Sequence, residues 1–163
     1  MTQSSGVPAG ADNPGVAAPP PLIYLGGFLI VLVCRWFWPI PIDAASRGLW
    51  PGLMLIAIGV AIAIAIWGRR TMVAAGTNVN PSRPAMTIVS SGPFRFSRNP
   101  LYLSLTTIFM GLTLAVNTWW GVVVLIPLLL VMHRGVVLRE ERYLEQKFGE
   151  QYRQYRSSVR RYL

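Results

Sequence analysis

The sequence predicts an all-α, polytopic membrane protein of about four transmembrane helices, with a C-terminal helical hairpin followed by a cytoplasmic amphipathic helix. Three observations predict it. Of 163 residues, 53% are hydrophobic and 13% charged, too few charges to solvate the surface of an ordinary soluble domain. The apolar residues fall in runs near the length that crosses a bilayer. The net charge of +9 is almost entirely arginine, and the arginines stand beside the apolar runs, where a chain meets anionic headgroups. Membrane lipids are therefore the expected partner, and nucleic acid is not.

Residues 1–21 are mostly Pro, Gly, Ala and Ser with one acid, Asp12. They cannot build a core, so a disordered tail is expected. The tail also lacks the basic start and short apolar run of a secretory signal. Residues 22–163 form a single domain. Its first helix spans about 22–38, where Arg35, Trp36 and Trp38 suit an interfacial belt and Pro39 and Pro41 close the helix. The second, about 49–67, carries no charge until Arg69 and Arg70 stop it at the headgroups. At ~1.5 Å per residue it nearly crosses a ~30 Å hydrocarbon core.

Residues 71–100 read as a loop region with turns, rich in Asn, Pro, Ser and Gly and charged only by Arg83, Arg95 and Arg98. The third helix covers about 101–116 and the fourth about 119–138, with Pro127 expected to kink it. Only Asn117 and Thr118 separate them, so the two must form an antiparallel hairpin. Each arm is a little short for a full span. Beyond it, Leu144, Phe148, Tyr152, Tyr155 and Val159 recur at three- or four-residue steps. They predict an amphipathic helix over about 139–157, bent at Gly149.

The arginines concentrate in the 68–100 loop and the C-terminal tail, while the Asn117–Thr118 turn has none. By the positive-inside rule the N-terminus, that loop and the C-terminus face the cytoplasm. Arg47 and Asp43 in the 39–48 connection are a minor countercurrent. Glycines at 26, 27, 52 and 59 would let helices approach closely, but the oligomeric state is open. One cysteine, Cys34, excludes an internal disulfide, and one histidine, His133, with no His/Cys cluster, argues against a metal site.

There is no dinucleotide fingerprint and no phosphate-binding loop. His133 lacks a well-placed acid to orient it for hydrolase chemistry. What remains is the segment Ser90-Ser91-Gly92-Pro93-Phe94-Arg95-Phe96-Ser97-Arg98-Asn99-Pro100-Leu101-Tyr102 before the hairpin and the pair Glu140-Glu141 after it. A short turn returns both arms of a hairpin to one interface. The fold therefore predicts a pocket at the membrane surface lined by Asn99, Tyr102 and Glu140. Taken singly, these features have plainer readings. Arg95 and Arg98 are headgroup anchors, the two glutamates balance Arg139 and Arg142, and Tyr152 and Tyr155 are packing.

In this order, with Gly76-Thr77-Asn78 and Pro81-x-x-Pro84 upstream and Phe148-Gly149-x-x-Tyr152-x-x-Tyr155 downstream, residues 77–162 resemble the isoprenylcysteine carboxyl methyltransferases. The related phospholipid methyltransferases share the pattern. The resemblance implies an S-adenosylmethionine-dependent methyl transfer to a lipid-like or isoprenoid substrate, in a bacterial inner membrane. It implies cofactor binding by Met86, Thr87, Ile88, Val89, Phe94, Asn99, Pro100, Leu101, Tyr102 and Glu140. Arg95 and Glu141 are then candidates for catalysis, with Glu141 taking a proton if the acceptor is an amine. Two departures stand out. Many eukaryotic members have His where this chain has Asn99, and a substrate-contacting Arg four residues before the first glutamate is here Val136. Arg134 and Arg139 are the nearby substitutes for substrate binding. The rival readings are a non-catalytic lipid-binding subunit and a nicotinamide-dependent membrane reductase.

Overall fold

The structure, a computed structural model, describes residues 12–42 and 49–162. Among these it is wholly helical, with six α-helices: α1 (Pro20–Phe37), α2 (Leu49–Ala74), α3 (Pro100–Ala115), α4 (Trp120–Met132), α5 (Leu138–Phe148) and α6 (Glu150–Ser158). Three stretches, Pro20–Phe37, Leu53–Ala74 and Trp120–Phe148, are long and apolar enough to cross a membrane. The shorter α3, at 16 residues, reaches about 24 Å at the α-helical rise. It is the short arm that the sequence led one to expect.

α2 packs along α3, and α1 packs on α4 and α3. Tyr24, Val31, Phe109, Leu128, Met132 and Val136 meet in the core between them. Gly27 lets α1 and α4 approach, since a Cβ there would run into the Leu128 side chain. Outward, α1, α2 and α4 expose Leu25, Ile30, Leu55, Ile56, Val123, Ile126 and many similar residues. A surface of that extent is stable only when something apolar covers it, and lipid is the cover that fits helices of this length.

The two ends of the bundle are built differently. At one end, the Asn117 turn is held by backbone groups of the 38–42 segment. Trp120 Nε1 donates to the Trp38 carbonyl at 2.7 Å. The Trp119 amide donates to the Ile40 carbonyl at 3.0 Å, and the Ile42 amide to Asn117 Oδ1 at 3.1 Å. Asn117 takes a positive φ of 50°, which asparagine tolerates better than other non-glycine residues. Asp43 and Arg47, which bear on the charge balance at this end, lie outside the described residues.

The other end departs from expectation in three places. α2 does not stop at Trp67 but continues to Ala74, because Arg69 and Arg70 can snorkel from a helix that runs on past the headgroups. It closes at Gly76, φ +71°, with the Gly76 amide on the Val73 carbonyl and the Thr77 amide on the Met72 carbonyl, the pairing that satisfies orphan carbonyls at a helix C-terminus. The helix predicted over 139–157 is two helices, broken at Gly149 with φ +53°. α4 also joins α5 through a π-helical turn, His133–Val137.

The stretch read as a disordered tail is ordered from Asp12 onward. The Ala17 amide donates to the Gly135 carbonyl at 3.0 Å, and Arg139 donates to the Gly15 carbonyl at 2.6 Å. Asp12 pairs with Lys147 at 2.7 Å. Composition missed this because α5 and the turn before it supply the partners that hold the segment. Residues 1–11 of that tail are outside the described residues.

Candidate functional site

Glycine 92 sets the local geometry of the site. Its φ of +59° is poorly tolerated by other residues, and a Cβ would stand 2.6 Å from Thr71 Oγ1 on α2. Pro93 then opens a tight 3-10 turn, Gly92–Arg95, that buries Phe94. Asn99 precedes α3 and Pro100 occupies its first turn, where proline's missing amide costs nothing. This sequence therefore delivers Phe94, Asn99 and Tyr102 to the start of α3 as a rigid unit.

The hairpin brings α5 to the same place. The Tyr102 hydroxyl donates to Glu140 Oε1 at 2.7 Å, across 38 residues of sequence. On α5, Tyr143 and Leu144 lie three and four positions beyond Glu140, and so on its face. The Tyr143 hydroxyl accepts from the Ala85 amide at 3.1 Å, which ties the 77–89 segment to α5. Within that segment Thr77 Oγ1 accepts from the Met86 amide at 2.9 Å, and Asn78 Nδ2 donates to the Pro84 carbonyl at 2.7 Å.

These pieces enclose a cavity of about 140 Å³. Thr87, Ile88, Val89, Phe94, Asn99, Pro100, Leu101, Tyr102 and Glu140 all line it. Met86 does not. Its side chain is turned outward, 64% exposed, and only its amide takes part locally. Sequence reasoning missed Asn78, Asn80, Arg83, Arg98, Tyr143 and Tyr155, which also line the cavity. Helical periodicity from Glu140 would have found Tyr143. Nothing local marks Asn80 or Arg83.

The C-terminal region closes the outer wall. The Tyr155 hydroxyl donates to the Phe94 carbonyl at 2.8 Å, and the Arg98 amide donates to the Arg160 carbonyl at 2.9 Å. Asn99 Nδ2 donates to the Arg161 carbonyl at 2.9 Å. The aromatic stripe of the last helix thus fixes the loop that carries the site. Burial pushes the Tyr155 and Tyr152 hydroxyls up from their ordinary pKa, so both remain protonated.

The two adjacent glutamates have opposite surroundings. Successive residues on an α-helix point about 100° apart, so when Glu140 faces the cavity Glu141 cannot. Glu141 is buried, with Arg98 Nη1 at 3.1 Å and Arg161 bound in two-pronged fashion at 2.9 and 2.8 Å. It is not among the residues that line the cavity, unlike Glu140. The pairing raises the Arg161 pKa through the hydrogen bonds to Glu141. Arg95, the other candidate for catalysis, sits over the Phe96 ring at 4.5 Å and does not line the cavity either. Phe96 is largely exposed, so this end of the 3-10 turn faces away from the site.

Arg134 and Arg139 stand around a second, shallower pocket that shares only Pro14 and Tyr143 with the cavity. Val136, the position where an arginine would match the isoprenylcysteine pattern, is fully buried in the core between the helices. A charge there would have no counter-ion among its apolar neighbours.

The sequence profile described as phospholipid methyltransferase matches residues 48–151, more than half of the chain and most of the cavity. The chain belongs to the phospholipid methyltransferase family. It is a membrane protein of a methyltransferase family, which agrees with the broader of the two resemblances read from the motifs. A protein of Haemophilus influenzae described only as uncharacterized is 44% identical over 66 residues, 39% of this chain and the whole of that protein. No solved structure matches. The family match ends at Gln151, before Tyr152, Tyr155 and Arg161, so the residues that clamp the outer wall lie beyond it.

Proposed function

We propose that this family member transfers a methyl group from S-adenosylmethionine to a membrane-partitioning acceptor, reached from the bilayer at the arginine-rich end of the bundle, and that this end faces the cytoplasm. The acceptor carries a carboxylate, amine or hydroxyl near that interface. The observation that carries the reading is the 2.7 Å bond between Tyr102 and Glu140. It joins the two halves of the motif in one cavity at that end.

The residues suit such a methyl donor, which when bound would supply an electrophilic methyl group on a positively charged sulfur. Arg98 lines the cavity, and its Nε is the single buried side-chain nitrogen or oxygen among the described residues with no hydrogen-bond partner. It is a donor that a ligand carboxylate or ring nitrogen can satisfy. Glu140 can accept from an ammonium group or from ribose hydroxyls, and Phe94 and Tyr102 offer aromatic faces to a purine or a cation. Leu101, Ile88 and Val89 exclude water from the reacting atoms, and positioning then supplies much of the rate.

Isothermal titration of the detergent-solubilised protein with S-adenosylhomocysteine tests the reading. Saturable binding is expected, weakened at least about tenfold in Glu140→Ala, the loss expected from one charged hydrogen bond. An absence of binding to the unmutated protein overturns the assignment of the cavity. Unchanged affinity in Glu140→Ala removes that carboxylate from the site.

A further inference from the structure

We propose that the second pocket, between α5 and residues 13–15, is a binding site for a phosphate-bearing anion, separate from the methyl-transfer cavity. It measures about 430 Å³ and is walled by Arg134, Arg139 and Arg142. All three arginines are exposed.

The chain contains six acidic residues, and none of those described stands within ion-pair distance of these arginines. Asp12 pairs with Lys147, Glu141 with Arg98 and Arg161, Glu145 with Arg156 and Glu150 with Arg153. Glu140 is bound by Tyr102, and Asp43 lies outside the described residues. Among the described residues, these arginines donate to a single protein acceptor, the Gly15 carbonyl, from Arg139. Three guanidinium groups gathered without a counter-charge repel one another, and an anion relieves that repulsion.

The backbone creates the gathering. Residues five apart on an α-helix lie on different faces. Arg134 and Arg139 are five apart, but the π-helical turn His133–Val137 lies between α4 and α5. Its i→i+5 hydrogen bonding brings such residues onto one face. Arg142, one turn further along α5, completes the wall.

A guanidinium binds phosphate through two parallel bonds, so three of them around one concavity select phosphate over a diffuse negative surface. Arg134 stands just beyond His133, which ends the apolar run of α4, near the depth at which lipid phosphates lie. A lipid headgroup and a soluble phosphate share this chemistry, and the depth favours the lipid. Phosphate binding here is independent of methyl transfer in the cavity.

Native mass spectrometry of the full chain in detergent tests the site, with phosphatidylglycerol compared against diacylglycerol of the same tails. Retention of phosphatidylglycerol is expected, reduced about tenfold in Arg134→Gln/Arg142→Gln. Arg153→Gln/Arg156→Gln, which changes the charge equally on α6, should leave retention unchanged. Should the double variant fail to fold, Arg142→Gln alone carries the test with the same sign. Displacement of the lipid by millimolar inorganic phosphate would identify the site as open to soluble anions, and resistance to it would identify the lipid as the ligand. Equal retention in wild type and Arg134→Gln/Arg142→Gln overturns the proposal, as does an equal loss in the α6 variant. Binding of S-adenosylhomocysteine, measured on the same samples, reports the cavity separately.

Discussion

The two ends of the helical bundle solve the same problem with different chemistry. At the Asn117 end, the turn is stitched to the 38–42 segment by neutral bonds, mostly to backbone groups, and an indole on the surface makes one of them. At the arginine-rich end, the loop before α3 is held to the C-terminal helices by buried charge: Glu141 between Arg98 and Arg161. The first arrangement closes a hairpin. The second holds a cavity open, because long charged side chains span gaps that a turn cannot. A buried ionic network is also brittle, since removing one member strands the others.

The largest expected effect follows from that brittleness. Glu141→Ala leaves the nearly buried Arg98 and the partly buried Arg161 without their carboxylate, and about 3–5 kcal/mol of stability should be lost. Thermal unfolding in detergent measures it. A loss no greater than that of Glu140→Ala would erase the distinction between the two glutamates.

At the opposite end, Trp120→Phe removes the 2.7 Å bond to the Trp38 carbonyl. It should cost about 1 kcal/mol, the usual net worth of a neutral hydrogen bond. Cofactor affinity should not move, because nothing at that end lines the cavity. A weakened cofactor titration in this variant would mean that the ends are coupled through the helices.

The smallest effect concerns the segment that crosses α5. The hydrogen bonds from Lys147 and then Tyr143 hold the exposed Asp12 carboxyl below its ordinary value. Its contribution is therefore complete above the unfolded pKa of about 3.9 and disappears as pH falls through the lowered folded value. Hydrogen exchange at the Ala17 amide, corrected for its intrinsic rate, should be flat near neutrality and rise a few-fold below about pH 4. Asp12→Asn should show the faster exchange already at neutral pH. Exchange independent of both would mean that the Gly135 carbonyl alone fixes the segment.

Much of this was legible from residue order. Runs of apolar residues bounded by arginine, tryptophan and proline located α1 and α3, and the start of α4, within about two residues. The two-residue break at Asn117 then required that Tyr102 and Glu140 meet. Of the ten residues that the family resemblance named for the cofactor, nine line one cavity. Other features were hidden because they depend on contacts between distant segments. Asp12 through Ala17 looks structureless until α5 and the turn before it supply its hydrogen-bond partners. Arg98 looks like a headgroup anchor until Glu141 and Tyr152 surround it. The π turn has no signature in His-Arg-Gly-Val-Val, yet it decides which arginines share a face.

Composition and hydropathy by themselves determined that this chain lives in lipid as a set of hairpins, because burial of backbone polar groups in hydrocarbon leaves few alternatives to a helix. Motif order determined the family. Only the tertiary structure decided that Glu141, next to the Glu140 already expected in the pocket, is turned away from it and locked between Arg98 and Arg161. That orientation is a matter of rotation about one helix axis, fixed by what packs on each side, and the arginines that hold Glu141 come from distant parts of the chain.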